Sequence, residues 1–223
     1  MEATTCKFCG ETFSFEPIIG LPFSLKPTVC NACDQKNRVA EADQAKKMRY
    51  KSFQSVCPAI YRDTDPNHPS MPPAEKLARI LTWQVGPVGL ILHGHSRTCK
   101  TRCAWLLIKK LIVDDCKSVV SMTSVEFADG CALAASTGAD AYAAWKAWMN
   151  DADVLFIDDL GKNKMTERVE ADLYDVIETR TSNRKPILFT TNFAGKDLIH
   201  KFSEDRGKPI ISRIREFTQS INL

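Results

Sequence analysis

Residues 94–101, Gly94-His95-Ser96-Arg97-Thr98-Cys99-Lys100-Thr101, follow an apolar run at 88–92 and precede an amphipathic stretch at 102–113. This order of strand, glycine-opened loop and helix fits the pattern G-x-x-x-x-G-K-[ST] at seven of eight places. The chemistry explains the residue types. Backbone N–H groups of the loop, from Gly94, His95, Ser96, Arg97, Thr98 and Cys99, join a helix N-terminus around the β- and γ-phosphates of a nucleotide. Lys100 adds a point charge on those oxygens, and the Thr101 hydroxyl is placed for Mg²⁺. Cys99 stands where glycine is expected, so a Cβ must find room at a close backbone approach. Taken alone, the string also fits a chance strand–loop–helix turn.

Working outward, a second apolar run at 154–157 ends in Asp158-Asp159-Leu160-Gly161. Carboxylates at the tip of a buried strand beside a phosphate loop can hold a Mg²⁺ shell and orient a water. Asp158 is the metal-side candidate and Asp159 the water-side one. The competing reading is two aspartates capping the next helix. A third run, 187–191, ends at Asn192, an amide that could report on a γ-phosphate. Short apolar runs at 88–92, 119–122, 154–157 and 187–189 alternate with helical patterns at 77–81, 102–113, 142–149 and 169–180. That alternation predicts crossover units on a parallel sheet, with ligands at the carboxyl ends of the strands. Tyr142, Trp145, Trp148 and Met149 form a near-helical stripe. It reads as core packing against the sheet, with stacking on single-stranded bases as the alternative.

The chain has nine cysteines. Four of them form two C-x-x-C pairs, Cys6/Cys9 and Cys30/Cys33, with twenty residues between the pairs. Two such turns facing each other complete a tetrahedral sulfur shell, which suits Zn²⁺. Gly10 fits the sharp bend of such a knuckle. Four thiolates leave no open position, so this zinc is structural. Cys103 and Cys116 read as small core hydrophobes. Residues 34–51 are highly charged without Gly or Pro and predict a solvated helix. Residues 57–73 hold five prolines and read as a linker. The expected division is a zinc-binding module at 1–38, a charged helix and proline-rich linker at 39–73, and a nucleotide-binding core at 74–223.

Composition narrows the classes. Over 223 residues, 44% hydrophobic and 26% charged content excludes a wholly disordered chain. A net charge of +3 does not by itself nominate nucleic acid. No apolar run approaches the roughly 20 residues that span a bilayer, and the N-terminus has no basic start or apolar h-region, so a cytoplasmic protein without membrane contact is expected.

The strings LFIDDLGK (155–162), ERVEADLYDVIETRTSNRKP (167–186), ILFTTN (187–192) and ISRIRE (211–216), in this order, resemble the DnaC/DnaI/IstB group of AAA+ ATPases. CPAIYRD (57–63) resembles the segment ahead of the core in that group, and the cysteine module resembles the N-terminal domain of DnaI-type loaders. The resemblance implies an α/β P-loop core with a parallel sheet, flanking helices and no C-terminal lid. It assigns Lys100 and Thr101 to Walker A, Asp158 and Asp159 to Walker B, Asn192 to sensor 1 and Arg213 to an arginine finger acting on a neighbouring subunit, with Arg206 next in line. The implied activity is slow, assembly-dependent ATP hydrolysis by a homo-oligomer. Its implied partners are a replicative DNA helicase and single-stranded DNA. The alternatives are an IstB-type transposition helper working with a transposase, and a DNA-binding accessory protein with a degenerate ATP site, which Cys99 and the short Asp159 favour.

Overall fold

The computed structural model describes residues 1–16, 26–193 and 195–223. The chain divides into two compact units, Met1–Arg49 and Tyr50–Leu223.

In the first unit, β1 (Glu2–Thr5) pairs antiparallel with β2 (Thr12–Phe15). The turn between them carries the first cysteine pair. The Cys6 N–H donates to the Glu11 carbonyl at 2.9 Å, and the Gly10 N–H donates to the Cys6 carbonyl at 2.9 Å. Gly10 has φ +74, a conformation open to glycine at no steric cost. The second pair runs straight into α1 (Asn31–Val56), whose first turn contains Cys33. The helix is thus longer than its charged stretch 34–51, and Phe53 is its buried residue. Its last turns, from Tyr50 on, belong to the second unit.

The second unit continues through a 3-10 turn at Ala59–Tyr61, α2 (Ala74–Leu81), β3 (Gly89–His93), α3 (Lys100–Val113), β4 (Val119–Thr123), α4 (Ser124–Thr137) and α5 (Ala139–Asp151). It ends with β5 (Val154–Asp158), α6 (Glu167–Ser182), β6 (Ile187–Thr191), α7 (Gly195–Ile199), α8 (Glu204–Phe217) and β7 (Thr218–Asn222). Five strands form one sheet in the order β4-β5-β6-β3-β7, and every neighbouring pair is parallel. After β3 the chain crosses to the far edge at β4, while β7 closes the other side. The carboxyl end of β3 is therefore a point where connections diverge, which opens a crevice for ligands.

Strand periodicity assigns the two faces. Leu90, Leu92, Val154, Phe156 and Leu188 pack with Phe53, Ile80 and the apolar residues of α3. Ile91, Leu155, Ile157, Ile187 and Phe189 pack with Phe127, Leu173, Val176 and Ile214 on the opposite face. Both faces of the sheet are covered, as a parallel sheet requires.

Several local expectations change. Cys103 is buried as expected, but Cys116 is exposed in a left-handed turn after α3 and is no core residue. Residues 57–73 do not run free: Cys57 and Thr64 are buried, and Met71 packs against the α3 side of the core. In the aromatic stripe of α5, Met149 is buried, Trp145 lies 5.4 Å from Phe127 between ring centres, and Tyr142 bonds Asp172. Trp148, the third member of the stripe, points outward and is 53% exposed, because it falls beyond the face that α5 buries.

Several charged side chains are buried in this unit, Arg180 the most completely of them. The Arg180 guanidinium, at the end of the apolar face of α6, is fully buried and donates to the carbonyls of Met149, Ala152, Asp153 and Pro186. It ties the C-terminus of α5 to the starts of β5 and β6. Lys185 adds bonds to the Asn150 and Asp151 carbonyls at 2.8 Å each.

Candidate functional site

The loop between β3 and α3 turns sharply through left-handed residues: Arg97 has φ +70 and Cys99 φ +62, ψ 21. Cys99 thus holds a left-handed conformation, which favours glycine. Holding a Cβ there costs about 1 kcal/mol. Gly94, at φ +147, has no alternative: a Cβ would sit 2.2 Å from the Leu223 carbonyl oxygen.

Lys100, the first residue of α3, is buried, and its ammonium group reaches back into the loop. It donates to the Gly94 carbonyl at 3.0 Å, the His95 carbonyl at 2.7 Å and the Thr98 hydroxyl at 3.3 Å. Burial pushes its pKa down, opposed by the nearby Asp159 and Asp158. The Thr101 hydroxyl donates to Asp158 Oδ1 at 3.0 Å, so helix α3 and strand β5 meet at this pair. Burial raises the Asp158 carboxyl above its ordinary value, and the bond from Thr190 works against that shift.

Thr190 staples the strand ends together. Its hydroxyl donates to Asp158 and accepts from the Asp159 N–H at 2.9 Å, while its carbonyl accepts from the Leu160 N–H at 2.8 Å. Asp159 sits at φ +56, turned off the strand, with Lys162 Nζ 2.8 Å from its Oδ2. Asn192 follows β6 and shares a cavity with Lys100, Thr101 and Asp159.

The structure therefore brings together Lys100, Thr101, Asp158, Asp159 and Asn192. Arg213 lies elsewhere. It borders a cleft with Pro87 and Pro186, which precede β3 and β6, at the amino ends of the strands. The five residues of β3 separate it from the phosphate loop by about 16 Å. Its guanidinium pairs with Glu178 at 2.8 Å and Glu216 at 3.2 Å. Arg206, the second choice, is exposed near the start of α8.

Four further cavity residues escaped the motif reading: Tyr61, Ser70, Arg102 and Lys162. The signals were present but faint. Tyr61 sits in an apolar pair, Ile60-Tyr61, amid prolines; Arg102 and Lys162 directly follow the loop and the LG turn.

In the first unit the sulfurs of Cys6, Cys9, Cys30 and Cys33 all lie within 4.8 Å of one another. Cys9 and Cys30 are 3.7 Å apart. A tetrahedral Zn–S shell requires edges of about 3.8 Å, so the donor set fits zinc. Backbone N–H groups of Cys30 and Cys9 hold the Cys6 thiol down to about 6. Among the described residues no helix is long and apolar enough to cross a membrane.

The core has a P-loop fold of the AAA+ type, with a four-cysteine module preceding it. No family model and no curated protein sequence matches this chain. Solved structures do. The DnaC helicase loader aligns at TM-score 0.62 with 16% identity, covering 74% of this chain and 99% of that one. DnaI aligns at 0.57 with 21% identity, covering 72% and 88%. AMPPCP-bound DnaA from Aquifex aeolicus aligns at 0.56 with 15% identity, covering 67% of this chain but 44% of DnaA. This chain thus spans under half the length of that initiator.

Proposed function

We propose that this protein binds and hydrolyses ATP to load or remodel a replicative DNA helicase on single-stranded DNA, with zinc held in its cysteine unit. The convergence of Lys100, Thr101, Asp158, Asp159 and Asn192 at the carboxyl ends of three adjacent strands, β5, β6 and β3, carries the reading. The loop N–H groups and Lys100 bind the β- and γ-phosphates. Thr101 and Asp158 would hold Mg²⁺, and they fit it: a hydroxyl and a half-buried carboxylate meet at 3.0 Å, and the side chains bonded to that carboxylate are hydroxyls. When bound, that ion neutralises charge on the transferring phosphoryl group. Asp159 orients the attacking water once Lys162 releases it, and Asn192 contacts the γ-phosphate. Arg213, about a strand's length from its own loop, serves the site of a second copy. Fingers supplied in this way are worth roughly 10³–10⁵ in rate, so an isolated chain turns over slowly.

Turnover measured across protein concentration, with and without single-stranded DNA, tests the reading. Lys100→Ala should lose nucleotide binding, whereas Asp159→Asn should bind ATP without hydrolysing it. Equal ATP binding by wild type and Lys100→Ala would refute the site. Cys99 in a left-handed conformation and the Lys162–Asp159 pair favour a second reading, a DNA-binding accessory with an inert nucleotide pocket; binding without turnover under every condition would select it.

A further inference from the structure

We propose that Tyr61 is a further substrate-binding residue of the phosphate pocket, donating its phenolic hydrogen bond to a nucleotide phosphate, and that Arg102 is the positioning residue that holds it there. The inference rests on the nucleotide reading of this site and extends it to a segment that composition describes as a linker.

Tyr61 lines the same cavity of about 340 Å³ as Lys100, Thr101, Asp159 and Asn192. It faces that cavity together with the Thr101 side chain, the group placed for Mg²⁺. A tyrosine phenol is neutral at neutral pH and offers one O–H donor. A neutral O–H beside two carboxylates is a donor that an incoming phosphate oxygen can accept from without displacing a cation. The phenol carries a single hydrogen, and with a nucleotide in the cavity that donor would turn to a phosphate oxygen.

Residues 57–64 are anchored to α3. Arg102, whose side chain is 13% exposed, donates through Nη1 to Asp63 Oδ1 at 2.7 Å and to the Thr64 hydroxyl at 2.9 Å. Its Nη2 donates to the Ile60 carbonyl at 2.9 Å, and its guanidinium lies 5.5 Å from the centre of the Tyr61 ring. Lys109 adds a bond to the Thr64 carbonyl at 3.4 Å, and Arg62 Nε one to the Cys57 carbonyl at 3.0 Å. Arg102 spends both terminal nitrogens on the segment that carries Tyr61. It borders the pocket with three N–H donors committed to that segment, and its position on α3 fixes Tyr61 relative to Lys100 and Thr101.

The test is titration of full-length protein with a fluorescent ATP analogue in Mg²⁺, comparing wild type, Tyr61→Phe, Arg102→Met, the double variant and Lys100→Ala. Circular dichroism verifies each fold. Loss of one neutral hydrogen bond predicts about threefold to tenfold weaker binding by Tyr61→Phe, which keeps the ring and its packing. Arg102→Met should weaken binding similarly, and the double variant should be no weaker than the worse single one, because Arg102 acts through Tyr61. Binding by Tyr61→Phe within twofold of wild type, while Lys100→Ala loses it, overturns the role of Tyr61 and leaves the nucleotide site standing. Additive losses in the double variant overturn the positioning role of Arg102. Undiminished binding by Lys100→Ala brings down the site itself and this inference with it.

Discussion

Replacing Arg180 by methionine keeps the length and apolar stem of the side chain and removes its buried charge and donors. Four carbonyls lose a partner: Met149 and Ala152 around the end of α5, Asp153 ahead of β5, and Pro186 ahead of β6. Hydrogen bonds to a charged donor contribute about 1.5–3 kcal/mol each, so the gross loss is roughly 6–12 kcal/mol. Two effects offset it. The charge no longer has to be desolvated, which returns several kcal/mol, and the Pro186 carbonyl keeps a long bond from the Leu155 N–H at 3.4 Å. The balance is a destabilisation of about 2–4 kcal/mol. For a chain of this size that lowers the melting temperature by roughly 5–15 °C. Urea titration followed by circular dichroism should show a lower midpoint with an unchanged slope. Arg180→Lys should recover only part of the loss, since a single ammonium cannot span carbonyls that a planar fork reaches together. If Arg180→Met were as stable as wild type, the returned desolvation energy would match the bonds lost, and the guanidinium would contribute no net stability.

Further expectations concern the two sites. Purified, reduced protein should carry one zinc per chain by elemental analysis; Cys6→Ser and Cys30→Ser should lose it while nucleotide binding persists. Asp158→Asn should raise the thermal midpoint at neutral pH yet abolish the Mg²⁺ dependence of ATP binding. The sign follows from its raised pKa: the contribution of this carboxyl is complete below 3.8 and fades as pH climbs through the folded-state value, whereas asparagine stays neutral throughout. Thermal melts of both forms at acid and neutral pH measure it. Arg213→Ala should keep ATP affinity but lose most hydrolysis, and mixing it with Lys100→Ala should restore part of the activity at interfaces that pair an intact loop with an intact arginine. No recovery at any ratio, with co-assembly verified, would refute action in trans.

The parts of the fold with strong apolar contrast were legible in the sequence. β3, β5 and β6 are buried runs ended by glycine, aspartate or asparagine, and these boundaries carry the phosphate loop, Asp158, Asp159 and Asn192. β7 was not legible: of Thr218–Asn222 only Ile221 is buried, and the strand exists because β3 offers it an unpaired edge. The start of α4 was readable but easily passed over, since Thr123 and Glu126 form a complete capping box. Tyr61 and Arg102 depend on contacts some 40 residues apart, for example 39 between Arg102 and Asp63, and no local pattern encodes such a pairing. The position of Arg213 follows from α8 running to the amino ends of the strands, a property of the assembled sheet.

The Thr190 hydroxyl has a consequence for how the ends of β5 and β6 move. Asp158 and the Asp159 backbone both bond the same side chain, and Thr191 adds a bond to the Leu160 carbonyl at 2.7 Å. The loop after β5 is in turn wedged against Phe193 and Leu198: a Cβ on Gly161 would meet Leu198 at 2.8 Å. The ends of β5 and β6 are therefore coupled through one hydroxyl, and a displacement of Asp158 or Asp159 is passed directly to β6.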